Sequence, residues 1–378
     1  MSDLGIGILG AGNISTAYLR LIPSFRGLAL RAIAGRGPDG AAAQAEAFGI
    51  RAMPADDLLA ADDIDVVVNL TPPQAHFDLT RRALEAGKHV WSEKPFVLTL
   101  EQGETLREIA GARDLRVGSA PDTFLGGAHQ LARRAVDEGR IGRVTGGSAH
   151  IMSRGMESWH PNPDFFFQPG AGPVLDVGPY YLTDLVQILG PVRSVAAMAG
   201  RAFDTRTIGK GPRAGETVPV DTPTDIHALL DFECGAQVTL SASWDVAAHR
   251  HPMLELYGTE RSLYLPDPNF FGGDVTLAGG QGEEALDWAH PFGAENVTDS
   301  RGTRRANWRG AGLAEMSAAI AEGRPHRAGL DLALHVVEVM TAILEAGERR
   351  DWVALTTTCE RPAPLSPDEA GALLADPA

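Results

Sequence analysis

The chain has 378 residues, 44% apolar and 22% charged, the composition of an ordinary globular protein long enough for two domains. A formal net charge of −16 argues against nucleic acid or an anionic membrane as partner, since either would call for clustered Lys and Arg. Two cysteines, Cys234 and Cys359, cannot form a disulfide framework, and the sequence has neither a basic leader nor a run of about 18 apolar residues; a cytoplasmic chain without a membrane segment is expected.

In chain order, strand patterns run Leu4 to Leu9, Leu28 to Ala34, Asp65 to Leu70, Lys88 to Ser92 and Arg116 to Ser119. Helical periodicity lies between them: "QAHFDLTRRALEAG" carries an apolar stripe ending at Gly87, and Thr99 with Gln102 has capping-box spacing. Residues 1–124 therefore read as an α/β domain with a doubly wound parallel sheet. After one more helix, strands follow with few helices between them: Arg143 to Met152, Val192 to Ala199, Ile226 to Phe232, Gln237 to Ser243, Met253 to Tyr257 and Ser262 to Leu265. Gly235 marks a hairpin turn.

Residues 125–378 read as an α+β domain with a large, open, mostly antiparallel sheet. Its bare face would need a partner, so a homo-oligomer, dimer or tetramer, is expected. Two late helices, Gly312 to Glu322 and Leu330 to Glu345, either pack back on the first domain or flank the sheet. The Pro-rich tail "ERPAPLSPDEAGALLADPA" is expected to be weakly ordered.

"GILGAGNIS" sets Gly10 and Gly12, then Asn13, Ile14 and Ser15, between a strand and a helix. Gly10 allows a tight turn, Gly12 lets backbone approach a pyrophosphate, and the helix start offers free N–H groups, so NAD or NADP is the expected cofactor. The second strand ends in Gly35 and Arg36 rather than a ribose-binding acid. NADP is thus permitted, and the choice between the two stays open.

Four stretches, "GILGAGNIS", "NLTPPQAH", "VWSEKPF" and "GAGPVLDVGPYYLTDL", together resemble the glucose-fructose oxidoreductase, inositol dehydrogenase and rhizopine catabolism family, Gfo/Idh/MocA. The resemblance implies a Rossmann domain followed by an α+β domain, and redox chemistry on sugars or cyclitols. It also implies cofactor contacts at Thr71, Pro72, His76, Glu93 and Lys94, with Lys94 touching both the substrate hydroxyl and the nicotinamide ribose. The family pattern Asp-x-Gly-x-His, with an acid three residues later, reads here as Asp176, Gly178, Tyr180 and Thr183, and Asp184 follows one position late.

Helical spacing would turn Asp176, Tyr180, Thr183 and Asp184 into one cleft. Some relatives look similar in using a tyrosine at this position as acid or base. The reading is Tyr180 as proton-transfer group, Lys94 polarising with a pKa able to fall in a partly desolvated site, and Asp176 orienting. The bland alternative makes Tyr180 a core residue and Tyr181 the actor. Thr183 in the acid's place argues against a metal, so none is expected.

On the substrate side, "SRGMESWHPNPDFFFQPGAGP" offers Trp159, His160 and Asn162 as contacts for a pyranose ring, with Asp122 as a further candidate. Arg309, with His249, Arg250 and Arg305, could meet an anionic sugar. The expected function is hydride transfer at a ring carbinol of a sugar or glycoside. The alternatives are an oxidoreductive glycosidase, which oxidises transiently, eliminates, adds water and re-reduces, including on an acidic or sulfonated sugar, and a catalytically inactive NAD(P)-sensing protein.

Overall fold

The computed structural model describes residues 3–37, 40–280, 282–298 and 302–375. Six short strands pair in parallel in the order Arg51–Ala52, Leu28–Ala34, Leu4–Leu9, Val66–Asn69, His89–Ser92 and Val117–Ser119. Val66–Asn69 is buried throughout, as expected of a parallel strand covered on both faces. The order reverses beside Leu4–Leu9, and a crevice opens there at the carboxyl ends of the strands.

A second sheet of nine strands runs Gly282–Leu286, Val275–Gly279, Ser262–Leu265, Leu254–Gly258, Val144–Met152, Gln237–Ser243, Asp225–Phe232, Val192–Gly200 and Val353–Ala354. Only Val144–Met152 and Gln237–Ser243 pair in parallel. The alternation is sharp along Asp225–Phe232, where Ile226, Ala228 and Leu230 are buried while His227 and Leu229 are exposed. Helices cover the buried face, and Met198, Leu229, Met253 and Tyr257 stand exposed among the residues of this sheet and its approaches. The strand Val275–Gly279 and its partner Gly282–Leu286 extend the sheet beyond the sequence expectation.

Helix Leu330–Arg349 packs against both halves: it touches strand Val192–Gly200 and helix Gly178–Leu189 on one side, and helix Leu100–Ala112 on the other. Gly347 allows close approach, because a Cβ there would lie 2.6 Å from that of Ala199. At the start of Leu100–Ala112, Thr99 accepts from the Gln102 N–H, but the Gln102 side chain returns to the N–H of Leu98, so the expected box closes one residue early.

The tail expectation is corrected. Pro367–Leu373 is a helix with a complete capping box between Ser366 and Glu369. Its end returns to the first domain: Arg26 N–H donates to Leu373 O at 2.8 Å and Ala375 N–H to Ser24 O at 2.9 Å. Proline content suggested disorder, whereas Ser366 and Glu369 satisfy the helix start and Arg327 pairs with Glu369 at 2.7 Å. The last three residues lie outside the described ones. Among the described residues no helix is long and apolar enough to cross a membrane.

Candidate active site

The crevice is a cavity of about 910 Å³ lined by Gly10, Gly12, Gly35, Arg36, Thr71, Pro72, Lys94 and Asp176. Gly10 sits at φ +106°, and a Cβ on it would fall 2.7 Å from Leu70 O, so only glycine fits. At Gly12 a Cβ would meet nothing within 4 Å, which leaves the space above it free for a ligand. Gly12 is the N-cap of helix Asn13–Leu21, so the first-turn N–H groups lack intrahelical partners. A backbone cradle at a helix start, beside a cavity of this size, fits a dinucleotide. Asn13 and Ile14 open that helix rather than line the cavity wall.

The far lip is held from below. Asn69 Oδ1 accepts from the Thr71 hydroxyl at 2.6 Å, fixing the Thr71–Pro72 bend. His76 is buried, with Nδ1 2.8 Å from Pro95 O and Nε2 2.7 Å from Thr71 O; burial holds its pKa below the ordinary value. It therefore ties the Thr71 bend to the Lys94–Pro95 turn from beneath the groove. Glu93 is buried too: Oε1 accepts from Tyr18 Oη at 3.0 Å and Oε2 from the Lys94 N–H at 3.0 Å, while Trp91 Nε1 donates to Tyr18 Oη at 3.1 Å. His76 and Glu93 thus support Lys94 and do not line the cavity.

The Lys94 side chain crosses to the other half of the molecule. Its ammonium donates to Asp176 Oδ1 at 2.9 Å and to the backbone oxygen of the same residue, and lies 5.3 Å from the centre of the Tyr180 ring. Burial opposes the charge, but Asp176 and then Tyr180 outweigh it, so Lys94 is held above the ordinary lysine value. The expectation of a lowered lysine pKa is overturned: the group is a fixed cation, because a carboxylate faces it directly.

The expected single helical face breaks at Val177. Pro173–Asp176 and Gly178–Leu189 are separate helices, so periodicity does not carry across the junction. Tyr180 is 8% exposed and remains beside Lys94. Thr183 is buried and lines a small internal cavity behind Lys94. Asp184 turns the other way: Oδ2 pairs with His129 Nδ1 at 2.9 Å and Oδ1 accepts from Gln187 Nε2 at 3.0 Å. His129 Nε2 reaches Phe270 O at 2.7 Å, and although burial opposes its charge, Asp184 raises its pKa. Tyr181 is buried, its hydroxyl 3.5 Å from Asp267 Oδ1, and burial pushes its pKa well above the ordinary phenol value.

Asp122 is 1% exposed and accepts from the Gly310 and Gly312 N–H groups at 2.8 and 3.0 Å, which places it at the start of helix Ala311–Glu322 rather than in open solvent. Burial raises its pKa to about 6. The neighbouring Arg309 donates to Asn307 Oδ1 at 3.0 Å and Asn269 Oδ1 at 2.8 Å. Burial opposes the guanidinium charge, yet Tyr180, then Glu93 and Asp122, raise its pKa.

Trp159, His160, Phe165 and Phe166 form an aromatic cluster in which the His160 ring lies 5.4 Å from each of the other three. Phe165 and Phe166 line the cavity; Trp159 is 53% exposed, and Asn162 donates its backbone N–H to His160 Nδ1 at 3.1 Å. His249, Arg250 and Arg305 do not line the cavity, and His249 stacks towards His251. Among the described residues no cluster of His, Cys, Asp or Glu is arranged to hold a metal.

Sequence reasoning missed the Tyr18–Glu93–Trp91 chain, the electrostatic coupling of Arg309 to Tyr180 and the His129–Asp184 pair. The alternation of buried and exposed positions was readable, but no local spacing signals partners this far apart.

Residues 4–120 match a family model described as oxidoreductase family, NAD-binding Rossmann fold, and residues 129–264 match the GFO/IDH/MocA C-terminal domain. An uncharacterised oxidoreductase of Schizosaccharomyces pombe is 33% identical over 196 residues, 48% of this chain and 51% of that one, so the chain spans about half that relative's length. The dTDP-3,4-didehydro-2,6-dideoxy-α-D-glucose 3-reductase of Streptomyces violaceoruber is 32% identical over 270 residues, 69% of this chain and 72% of the relative. The solved structure of levoglucosan dehydrogenase in complex with NADH and L-sorbose shares the fold, with a TM-score of 0.79 at 22% identity over 94% of this chain and 100% of that one.

Proposed function

Because the chain belongs to the GFO/IDH/MocA family, we propose that it is an NAD(P)-dependent oxidoreductase that transfers hydride at a ring carbinol of a sugar or glycoside. The observation that carries this reading is the Lys94 ammonium, which lines the dinucleotide groove and lies 5.3 Å from the Tyr180 ring. A substrate hydroxyl placed between them meets a fixed cation and a phenol. When bound, the nicotinamide supplies the hydride acceptor or donor. Lys94 holds the carbinol oxygen and stabilises negative charge on it, Asp176 aims Lys94, and Tyr180 Oη exchanges the hydroxyl proton.

The division into a cofactor unit ending near residue 124 and a substrate unit beyond it belongs to the same reading. Trp159, His160 and Asn162 approach the sugar from the aromatic cluster, and Thr183 backs the Lys94 corner. The bare sheet face with Met198, Leu229 and Tyr257 suits a homodimer or a larger assembly, and two free cysteines suit a cytoplasmic location.

An oxidoreductive glycosidase would need a second base. Of the polar groups offered by the sequence, Asp122, Asp176, His160 and Asp184, the three carboxylates are held by Gly310, Lys94 and His129 and His160 Nδ1 accepts from Asn162, so net hydride transfer is the preferred reading.

The test is a panel of free sugars and aryl glycosides with NAD or NADP, following cofactor reduction and aglycone release together. Reduced cofactor accumulating with substrate loss, abolished by Lys94→Ala, supports the dehydrogenase. Aglycone release on catalytic cofactor without net reduction selects the glycosidase. Turnover absent throughout, with cofactor still bound, selects the sensor.

A further inference from the structure

The loop that carries the aromatic cluster also walls the dinucleotide groove. Phe165, Phe166, Gly170 and Ala171 line the same cavity as Gly10 and Gly12, so the second half of the molecule closes the groove over what the first half binds. Between strand Val144–Met152 and helix Pro173–Asp176 the loop has only two short turns of its own, Met156–Ser158 and Asp164–Phe167. A stretch of this length without regular structure does not hold two rings in place unaided. Phe165 is half exposed and packs outside the main core.

The support comes from a separate arm. Among the described residues, strands Thr205–Thr207 and Thr217–Pro219 pair only with each other, and Ile208, Val218 and Val220 form a second, small core with Phe167 and Trp244, against which Phe166 packs. Backbone ties join arm to loop: the Gly209 N–H donates to Glu157 O and the Asp221 N–H to Phe167 O, both at 2.8 Å. Two arginines of the arm complete the joint. Arg206 is buried; one end of its guanidinium donates to Glu157 Oε1 at 3.0 Å, and the other pairs with Asp245, which also accepts from the Thr224 hydroxyl at 2.9 Å. Arg213 grips both carboxylate oxygens of Asp164, at 2.5 and 3.1 Å, immediately before Phe165. A planar guanidinium meets carboxylates in a fixed fork, so each arginine sets an orientation as well as a contact. Neither lines the cavity.

We propose that Arg206 and Arg213 are positioning residues for the cofactor: they lock the arm to the loop so that Phe165 and Phe166 close the dinucleotide groove, and cofactor affinity depends on them although neither reaches the groove. This rests on the groove being a dinucleotide site, and it requires nothing of the sugar chemistry or of the choice between NAD and NADP.

The test is titration of the full chain, without substrate, with NADH and with NADPH by nicotinamide fluorescence, each variant first shown to be folded by its thermal melt. Phe165→Ala is expected to weaken the cofactor that the wild type binds by about three- to tenfold, the range of one aromatic contact. Arg213→Ala, which breaks a partly exposed pair, is expected to weaken it about as much with the melt nearly unchanged. In a chain carrying Phe165→Ala, adding Arg213→Ala should cost less than about twofold more, because the arginine acts through the ring; a merely structural role would leave the two losses independent. Arg206→Lys keeps the charge but cannot bridge Glu157 and Asp245, and where it folds it should lose at least as much as Arg213→Ala. Wild-type affinity in any folded single variant, or losses that multiply in the double variant, overturns the proposal and leaves the dinucleotide reading intact. A wild type that binds neither cofactor overturns both.

Discussion

The two walls of the cleft are built in different ways. The dinucleotide wall is local: Gly10, Gly12 and the helix they open lie within a dozen residues, and the shape depends on backbone geometry that few side chains permit. The wall that carries Lys94 and Tyr180 is assembled from afar. Lys94 meets Asp176 across 82 positions, and Asp122 meets Gly310 across 188. A local wall should fail through shape, and an assembled wall through the loss of a single partner.

The largest effect should come from the assembled wall. Tyr180→Phe and Lys94→Ala should each lower kcat about 10²- to 10⁴-fold, Tyr180→Phe leaving NAD(P)H affinity within about threefold and Lys94→Ala also weakening it, because Lys94 lines the cofactor groove as well as facing the substrate oxygen. Steady-state kinetics beside cofactor titration separates the two; a loss confined to cofactor binding would place Lys94 in the local wall alone.

Next is the buried pair behind that wall. Asp184→Asn removes a carboxylate that faces His129 at 2.9 Å and should cost about 3–5 kcal/mol of stability by denaturant unfolding. The His129 pKa is raised, so its stabilising share is complete below the unfolded histidine value, about 6.5, and is lost as pH rises through the folded value. The deficit of the variant should therefore shrink at alkaline pH, and a deficit that stays constant across this range would show that the imidazole is neutral in the folded pair.

Asp122 tests the same wall at acid pH. Its pKa is raised from 3.8 to about 6, so the stability it contributes is present below the unfolded value and lost as pH rises through about 6. Asp122→Asn cannot ionise and should gain on the wild type by up to about 3 kcal/mol between acid and neutral pH. A constant difference across that range would mean that Asp122 stays ionised throughout.

The smallest and sharpest contrast lies in the local wall. Gly10→Ala forces a side chain into positive φ against Leu70 O and should destabilise the fold by about 1–3 kcal/mol. Gly12→Ala meets open space and should leave stability within about 0.5 kcal/mol, yet weaken cofactor binding by filling the approach. Thermal melts with and without NADH or NADPH distinguish these outcomes.

Much of this was legible in the sequence. Five of the six parallel strands show as short apolar runs, and alternation marks Asp225–Phe232 as a half-buried strand. The broken helix at Val177 was not legible, because "GPVLDVGPYYLTDL" keeps helical apolar spacing while the chain turns within it. Nor was the docked tail, where proline density masked the Ser366 and Glu369 box.

The sequence by itself determined the alternation of strands and helices and the glycine turn at Gly10 and Gly12, since these follow from local periodicity and backbone freedom, and it singled out Lys94 and Tyr180 as candidates. Only the tertiary structure decided which of two neighbouring acids faces Lys94 and which is sealed against His129, which carboxylate meets the start of helix Ala311–Glu322, and that Lys94 is held as a cation. Those outcomes depend on desolvation and on partners brought from distant segments. Both are properties of the folded interior that no spacing along the chain encodes.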